Sequence, residues 1–303
     1  MSTLLHSSRL ICDFLNSKSC KPLVVILGPT GSGKTDLAIK LAKKFNGEII
    51  SADSRMIYRK LDIGTAKPTL IERQGVPHYL IDVADPSETF TLANYKRVAL
   101  KSIREIHDRG KVPFLVGGTG LYIDAVAQNF TIPRVLPNLK LRLQLEEEIK
   151  QKGENFLYNR LKKLDPKSAL KIDPRNHRYL IRALEIALSG KKKSDSRGKQ
   201  LFDVLFLGLD VPREKLYLAL NQRAIEQFEK GVIEETQQAL DFGISKKSPA
   251  LSGFVYREIV DFLEGKYSHE EALRLVQQKN RNYAKRQMTW FRRNKEIIWL
   301  KVN

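Results

Sequence analysis

The sequence is poor in cysteine, in ordered metal ligands, in long apolar runs and in acid. Only two cysteines occur in 303 residues, Cys12 and Cys20, both ahead of the first strongly apolar stretch. One pair at the N-terminal end cannot staple a chain of this size, so a disulfide framework is excluded. The five histidines, His6, His78, His107, His177 and His269, lack metal-ligand spacing, and no zinc site is expected. No stretch reaches the roughly 18 apolar residues of a membrane span. The opening segment MSTLLHSSRLICDFLNSKSC has no basic start, and Arg9 and Asp13 interrupt it, which predicts a short surface helix and not a signal peptide. A cytoplasmic protein with no membrane partner is expected. Acid is short relative to base: 34 Asp+Glu face 53 Lys+Arg, a formal charge of +19. That excess suits a polyanionic partner, nucleic acid or an anionic surface.

What is present begins with VVILGPTGSGKTDLAIKLAKKF, residues 24–45. Apolar residues run into a Gly/Pro/Thr/Ser turn, and Lys34 and Thr35 open a segment with Leu37, Ala38, Leu41, Ala42 and Phe45 at helical spacing. Gly28-x-x-x-x-Gly33-Lys34-Thr35 satisfies the phosphate-loop pattern in its proper strand–loop–helix setting. Gly28, Pro29, Thr30, Gly31, Ser32, Gly33, Lys34 and Thr35 are therefore the candidate phosphate cradle. Its glycines let successive N–H groups turn inward, the helix N-terminus adds partial positive charge, and Lys34 supplies a mobile cation. The Thr35 hydroxyl is placed to hold Mg²⁺ beside the phosphates. A simple helix cap would need neither the lysine nor the second glycine. The loop fixes a phosphorylated ligand and leaves its identity open: ATP, GTP or another diphosphate.

Asn46-Gly47 stops the first helix, and EIISAD reads as a second strand ending on Asp53. Residues 92–109 have helical periodicity, and VPFLVGGTGLY reads as a buried strand entering a second glycine-rich turn. Strands separated by helices predict an α/β fold, a P-loop NTPase-like doubly wound parallel sheet with its ligands at the C-terminal strand ends. Asp53 and Thr119 should then lie near the loop. Of the strand-end acids Asp53, Asp82 and Asp210, Asp53 is the candidate base, and the other two suit turns or caps. From about 130 to 200 strand signals vanish, and prolines separate runs such as LKLRLQLEEEIKQKG and NHRYLIRALEIALSG. The organisation predicted is an N-terminal extension over 1–20, a core over 21–130 and 200–303, and a helical insertion over 131–199. The insertion would close on a polar, mobile linker at 190–200, and FDVLFLGLDV would rejoin the sheet. The C-terminal segment opens with a capping box, Ser268-x-x-Glu271, and continues to IIWL. Between 279 and 295 it carries Lys279, Arg281, Lys285, Arg286, Arg292, Arg293 and Lys295 with no acid. These cations suit RNA phosphates, whereas the interleaved Tyr283 and Trp290 read as core packing.

GPTGSGKT, ADSRMIYRKLDIGTAKP, VPHYLIDV, VGGTGLY, RALEI and YAKRQMTWFRR resemble, in order and spacing, the tRNA dimethylallyltransferase family, also called tRNA isopentenyltransferases. The resemblance runs from about residue 22 to 300. It implies that the loop cradles dimethylallyl diphosphate with Mg²⁺ on Thr35. The prenyl group would go to N6 of the adenosine 3′ of the anticodon in tRNAs reading codons that begin with U. It also implies a monomer that binds the tRNA anticodon stem-loop, with the target base leaving its stack. By resemblance Asp53 is the catalytic base, Lys34 stabilises the leaving group, and Thr119 positions the substrate. Ser54, Arg55 and Met56 continue the signature at the target base; Arg142, Arg178, Tyr179, Arg182, Lys285 and Arg286 would contact tRNA, and Arg223 would clamp the diphosphate. Four residues depart from the family pattern: Met56 replaces glutamine, Tyr179 replaces arginine, Ala219 replaces the first arginine of a pair, and Val255 stands where glycine is usual.

Two other readings fit parts of the sequence. A P-loop small-molecule kinase using ATP explains the loop and leaves the +19 charge unexplained. A non-catalytic RNA-binding P-loop protein explains the charge and gives Asp53 and Thr119 nothing to do.

Overall fold

The computed structural model describes residues 3–17, 21–133, 135–191, 198–253 and 255–302. Helix α1 (Thr3–Asn16) is followed by strand β1 (Pro22–Leu27), helix α2 (Lys34–Lys44) and strand β2 (Gly47–Ser51). A two-residue strand β3 (His78–Tyr79), helix α3 (Leu92–Asp108), strand β4 (Val112–Gly117) and helix α4 (Gly120–Ala127) come next. Helices α5 (Leu139–Lys152), α6 (Glu154–Leu164), α7 (Pro166–Ala169) and α8 (His177–Leu188) precede strand β5 (Asp203–Asp210). Helices α9 (Arg213–Glu229), α10 (Val232–Asp241), α11 (Tyr256–Leu263) and α12 (His269–Phe291) lead to strand β6 (Ile298–Lys301).

The strands form one six-stranded sheet in the order β3-β2-β4-β1-β5-β6, and every neighbouring pair is parallel. This is the doubly wound α/β sheet that the alternation of strands and helices predicts. Strand β1 pairs with β4 on one side (Val24 opposite Phe114) and β5 on the other (Val24 opposite Leu205). The strand order reverses at β1, so the phosphate loop leaves its C-terminal end at the topological switch point. Successive β1 residues feed opposite layers: Leu23, Val25 and Leu27 pack with α3 and α4 residues, Val24 and Ile26 with α2 residues. Both faces are buried, which is why the strand reads as an unbroken apolar run.

The residues group into two compact units, 1–129 with 199–303, and 130–198. The first helix belongs to the first of these, because Ile11 is fully buried among Val24, Ile26 and Leu41. It thus covers one face of the sheet. Its Cys12 is exposed and unpaired, and Cys20 lies outside the described residues. The second unit has its own core of Leu145, Leu157, Leu161, Leu180 and Leu184. Most of the linker expected over 190–200 falls on 192–197, outside the described residues.

Three local expectations change. The C-terminal segment breaks at Arg292, and Ile298–Lys301 forms an edge strand paired with β5, Leu207 opposite Ile298. Its four residues are too short for periodicity to reveal. Only half of the capping box forms: Ser268 Oγ accepts from the Glu271 N–H at 3.2 Å, while the Glu271 carboxylate takes both hydrogen bonds of Arg274. Strand β2 ends at Ser51, two residues before Asp53, which leaves Asp53 free to turn. Among the described residues no helix is long and apolar enough to cross a membrane.

Candidate active site

The phosphate loop is closed by the Ser32 N–H bonding to the Pro29 carbonyl at 3.2 Å, and Gly33, at φ 78°, delivers the chain into α2 at Lys34. A left-handed residue there favours glycine. Lys34 Nζ has one long hydrogen bond, to the Pro29 carbonyl at 3.4 Å. Desolvation pulls this ammonium down to about 8; the Asp53 charge opposes that and the Arg223 charge adds to it. Arg223 arrives from α9 and donates from Nη1 to Thr30 Oγ1 at 2.9 Å. Its Nε is enclosed without a hydrogen-bond partner among the described residues, and so is Ser32 Oγ. Desolvation lowers the Arg223 pKa, against the pull of the Asp53 and Glu226 charges. Two desolvated cations and an unsatisfied hydroxyl on one loop fit an anion carrying several oxygens, because buried polar groups in folded proteins are otherwise paired. Arg223 reaches the loop without help from position 219, which is alanine.

The acceptor side is built on Asp53. Its Oδ1 accepts from the backbone N–H of Arg55 at 2.8 Å and of Met56 at 3.5 Å, an Asx turn that holds the carboxylate. Its Oδ2 has no hydrogen bond to the described residues. The glycine-rich turn after β4 lies alongside: the Thr119 N–H donates to the Ala52 carbonyl at 3.0 Å, and Thr119 Oγ1 accepts from the Ser54 N–H at 3.1 Å. The Tyr283 hydroxyl hydrogen-bonds the Thr119 side chain; burial pushes Tyr283 up to about 12, with the Asp53 charge adding and the Thr119 bond opposing. Tyr95 and Tyr122, stacked with centroids 3.7 Å apart, are also raised, by burial first and then by charges that include Asp53. The Asp53 charge therefore acts on Lys34 and Arg223 on one side and on three tyrosines on the other. Loop and carboxylate are thus within electrostatic reach of each other.

Helix α12 supports this arrangement through one face. Gln287 Oε1 accepts from the Thr30 N–H at 2.8 Å and its Nε2 donates to the Gly118 carbonyl at 2.9 Å. A Cβ on Gly118 would stand 2.2 Å from Gln287 Nε2 and displace that amide, and one on Gly120 would stand 2.2–2.8 Å from the Trp290 ring, so position 120 requires glycine. Trp290 Nε1 donates to Asp124 at 2.8 Å. The separate motifs GGTG and YAKRQMTW are thus two sides of one contact. Sequence reasoning missed Gln287 and took Tyr283 for core packing; the signal available was the 283/287/290 spacing, which puts all three on one helix face.

Other candidates are placed as follows. The Arg55 guanidinium donates to the Pro249 carbonyl, which commits it to the loop before α11. Met56 is half-buried and packs its N–H toward Asp53. Lys285 and Arg286 are exposed on α12, Arg286 lying 5.8 Å from the Tyr283 ring centroid. Val255 has φ 81° and ψ −74°, a conformation strained for a β-branched residue, backed by its N–H bond to Glu258 at 3.0 Å. In the second unit Arg178 and Tyr179 are exposed at the start of α8, whereas Arg142 and Arg182 both pair with the buried Glu185. Burial raises the Glu185 carboxyl, but hydrogen bonds from Arg142, the Asn138 N–H and Arg182 outweigh it and bring it to about 2. Among the described residues no group of three or more His, Cys, Asp or Glu could hold a metal ion. A divalent ion would therefore depend on phosphate oxygens beside the half-buried Thr35, the hydrated mode that suits Mg²⁺.

A family model described as IPP transferase matches residues 56–294. The tRNA dimethylallyltransferase of Thermomicrobium roseum is 45% identical over 93% of this chain and 87% of its own length. That of Alkaliphilus oremlandii is 44% identical over 93% and 92%. Among solved structures, the full-length tRNA isopentenylpyrophosphate transferase of Bacillus halodurans superposes with a TM-score of 0.71 at 41% identity, covering 93% of this chain and 90% of that one. A eukaryotic dimethylallyltransferase solved acting on tRNA gives a TM-score of 0.79 at 31% identity, over 93% of this chain and 74% of that one. The family-model match begins at Met56, where the carboxylate turn ends, and takes in the second glycine-rich turn and helix α12; the chain belongs to the IPP transferase family.

Proposed function

We propose that the chain is a tRNA dimethylallyltransferase that moves the dimethylallyl group of dimethylallyl diphosphate to N6 of the adenosine 3′ of the anticodon in tRNAs reading UNN codons. The observation that carries this reading is that the phosphate loop, with Arg223 bonded to Thr30, is tied through Gln287 to the turn of Thr119, which bonds Ser54 beside Asp53, whose charge acts on both Lys34 and Arg223. Relatives with 44–45% identity bear that name, and a structural neighbour was solved acting on tRNA.

The residues supply the chemistry in complementary halves. As the allylic C–O bond breaks, its electron pair goes to the diphosphate, whose growing charge is met by Lys34, Arg223 and the loop N–H groups. The adenine N6 lone pair forms the new C–N bond, and Asp53 Oδ2 accepts the N6 proton, a contribution of about 10²–10⁴-fold for a positioned base. Thr119, fixed by Ser54 and Tyr283, orients the base. Mg²⁺ beside Thr35 would neutralise part of the diphosphate charge when bound. The adenine reaches this depth only by leaving its stack. The exposed cations Lys285, Arg286 and Arg178 suit tRNA phosphates, and Tyr179 suits stacking. The enzyme is taken to work as a cytoplasmic monomer, which light scattering would check.

Mass spectrometry of nucleosides from tRNA incubated with the protein, dimethylallyl diphosphate and Mg²⁺ tests the reading: N6-isopentenyladenosine should form. Thermal stabilisation by ATP with Mg²⁺ and none by dimethylallyl diphosphate would overturn it in favour of a kinase.

A further inference from the structure

We propose that Gln287 is a positioning residue that sets the spacing between the donor-holding loop and the acceptor-holding turn. It rests on the reading above and adds to it a residue that touches neither substrate. Gln287 is 5% exposed, and its amide is used at both ends: Oε1 on the Thr30 N–H, Nε2 on the Gly118 carbonyl. Each contact bears on a functional group. Thr30 is the residue whose hydroxyl accepts from Arg223, so the Gln287 bond fixes the platform on which that cation rests. Gly118 immediately precedes Thr119, whose hydroxyl meets Ser54 and Tyr283. The chain Arg223–Thr30–Gln287–Gly118–Thr119 thus runs from one reactant to the other through a single side chain. By holding the Thr30 N–H, Gln287 also withdraws that donor from the phosphate cradle, leaving the later loop amides and Arg223 to the diphosphate. A glutamine amide donates and accepts at once without carrying charge, so one buried side chain serves both contacts. A change in this spacing alters how the reacting atoms face each other without removing any group that binds them, and misplacement of about 1 Å can cost about 10²-fold in rate.

The test compares wild type, Gln287→Leu and Gln287→Glu in single-turnover transfer to tRNA, with affinities for inorganic diphosphate and for tRNA measured separately. Gln287→Leu should lose about 10²-fold in the transfer rate while both affinities stay within about threefold. In Gln287→Glu the ionised carboxylate accepts from Thr30 but repels the Gly118 carbonyl, and protonation restores the donor. Its rate relative to wild type should rise about tenfold between about pH 8 and about pH 6, because burial raises a carboxyl pKa. The titratable groups of the site, Lys34, Arg223, Asp53 and Tyr283, are common to all three proteins, so the ratio removes their contribution. A wild-type rate in Gln287→Leu, a loss of rate and of diphosphate affinity in equal proportion, or a flat ratio for Gln287→Glu would each overturn the proposal. Absence of transfer by the wild type would instead overturn the functional reading. Should Gln287→Leu fail to fold, the pH ratio of Gln287→Glu decides alone.

Discussion

Arg223 Nη1 lies 2.9 Å from Thr30 Oγ1, joining the third turn of α9 to a loop 193 residues earlier in the chain. The bond places one cation of the phosphate cradle where nothing in the local sequence of that loop could put it. It also sets a second positive charge against Lys34, whose ammonium the Arg223 charge disfavours.

Arg223→Gln should therefore weaken inorganic diphosphate binding by about 10- to 100-fold, the equivalent of a charge-assisted hydrogen bond of about 1.5–3 kcal/mol. The same change relieves like-charge repulsion in the ligand-free protein. Its thermal midpoint should stay level or rise, and calorimetry that found diphosphate affinity unchanged would remove Arg223 from the cradle.

Lys34 carries a pH signature. Its ammonium, normally near 10.5, sits near 8 in the folded protein because it is desolvated. The unfolded chain thus binds more protons between those values, and this group's contribution to ligand-free stability rises with pH across that window. Diphosphate requires the charged form, so binding above about pH 8 must take up a proton. Titration calorimetry in buffers of different ionisation heat should register that uptake in wild type and lose it in Lys34→Met. Equal uptake in both proteins would assign the proton to the ligand itself.

Asp53→Asn should cut transfer by about 10²-fold or more and leave tRNA affinity nearly intact, because the side chain keeps its shape and loses only its basicity. Removal of a negative charge beside Lys34 and Arg223 should, if anything, tighten diphosphate binding. Turnover near the wild-type rate would rule out this carboxylate as the base.

The parts of this site legible in the sequence are those whose chemistry is local. The phosphate loop is contiguous, and β1 and α2 on either side have clear periods, so ligand class and fold class both follow from residues 24–45. Asp53 follows from topology as the candidate base, the acid one helix and one strand downstream. Gln287 and Tyr283 were not legible, because their meaning lies in contacts with Thr30, Gly118 and Thr119, far away in sequence, and an amphipathic helix looks the same whether its inner face packs on a core or braces a cleft. Strand β6 escaped because four residues carry no period, and the strand expected to end on Asp82 is only the two residues His78–Tyr79. Arg142 and Arg182 read as surface charges for RNA; their partner Glu185 is buried by tertiary packing that helix periodicity alone does not resolve.

That ion cluster gives the second unit an acid-sensitive point. Glu185 is 2% exposed and accepts from the Asn138 N–H, Arg142 and Arg182, so α5 and α8 are pinned through one carboxylate. With the folded carboxyl near 2 against an ordinary 4.5, its contribution is full above about 4.5 and is lost as the pH falls toward 2. Glu185→Gln removes the charge at neutral pH and leaves two arginines that are each about a third exposed and can turn to water, so the cost should fall near the lower end of the usual range for breaking a buried pair, about 3 kcal/mol. Hydrogen exchange at pH 7 should show faster opening of the amides of α5 and α8 in Glu185→Gln, with β1 and β4 unchanged. The difference between variant and wild type should shrink as the pH drops below about 4, where the wild-type carboxyl begins to lose the same advantage. Unchanged protection in α5 and α8 would mean that Leu145, Leu180 and their neighbours hold this unit without the ion cluster.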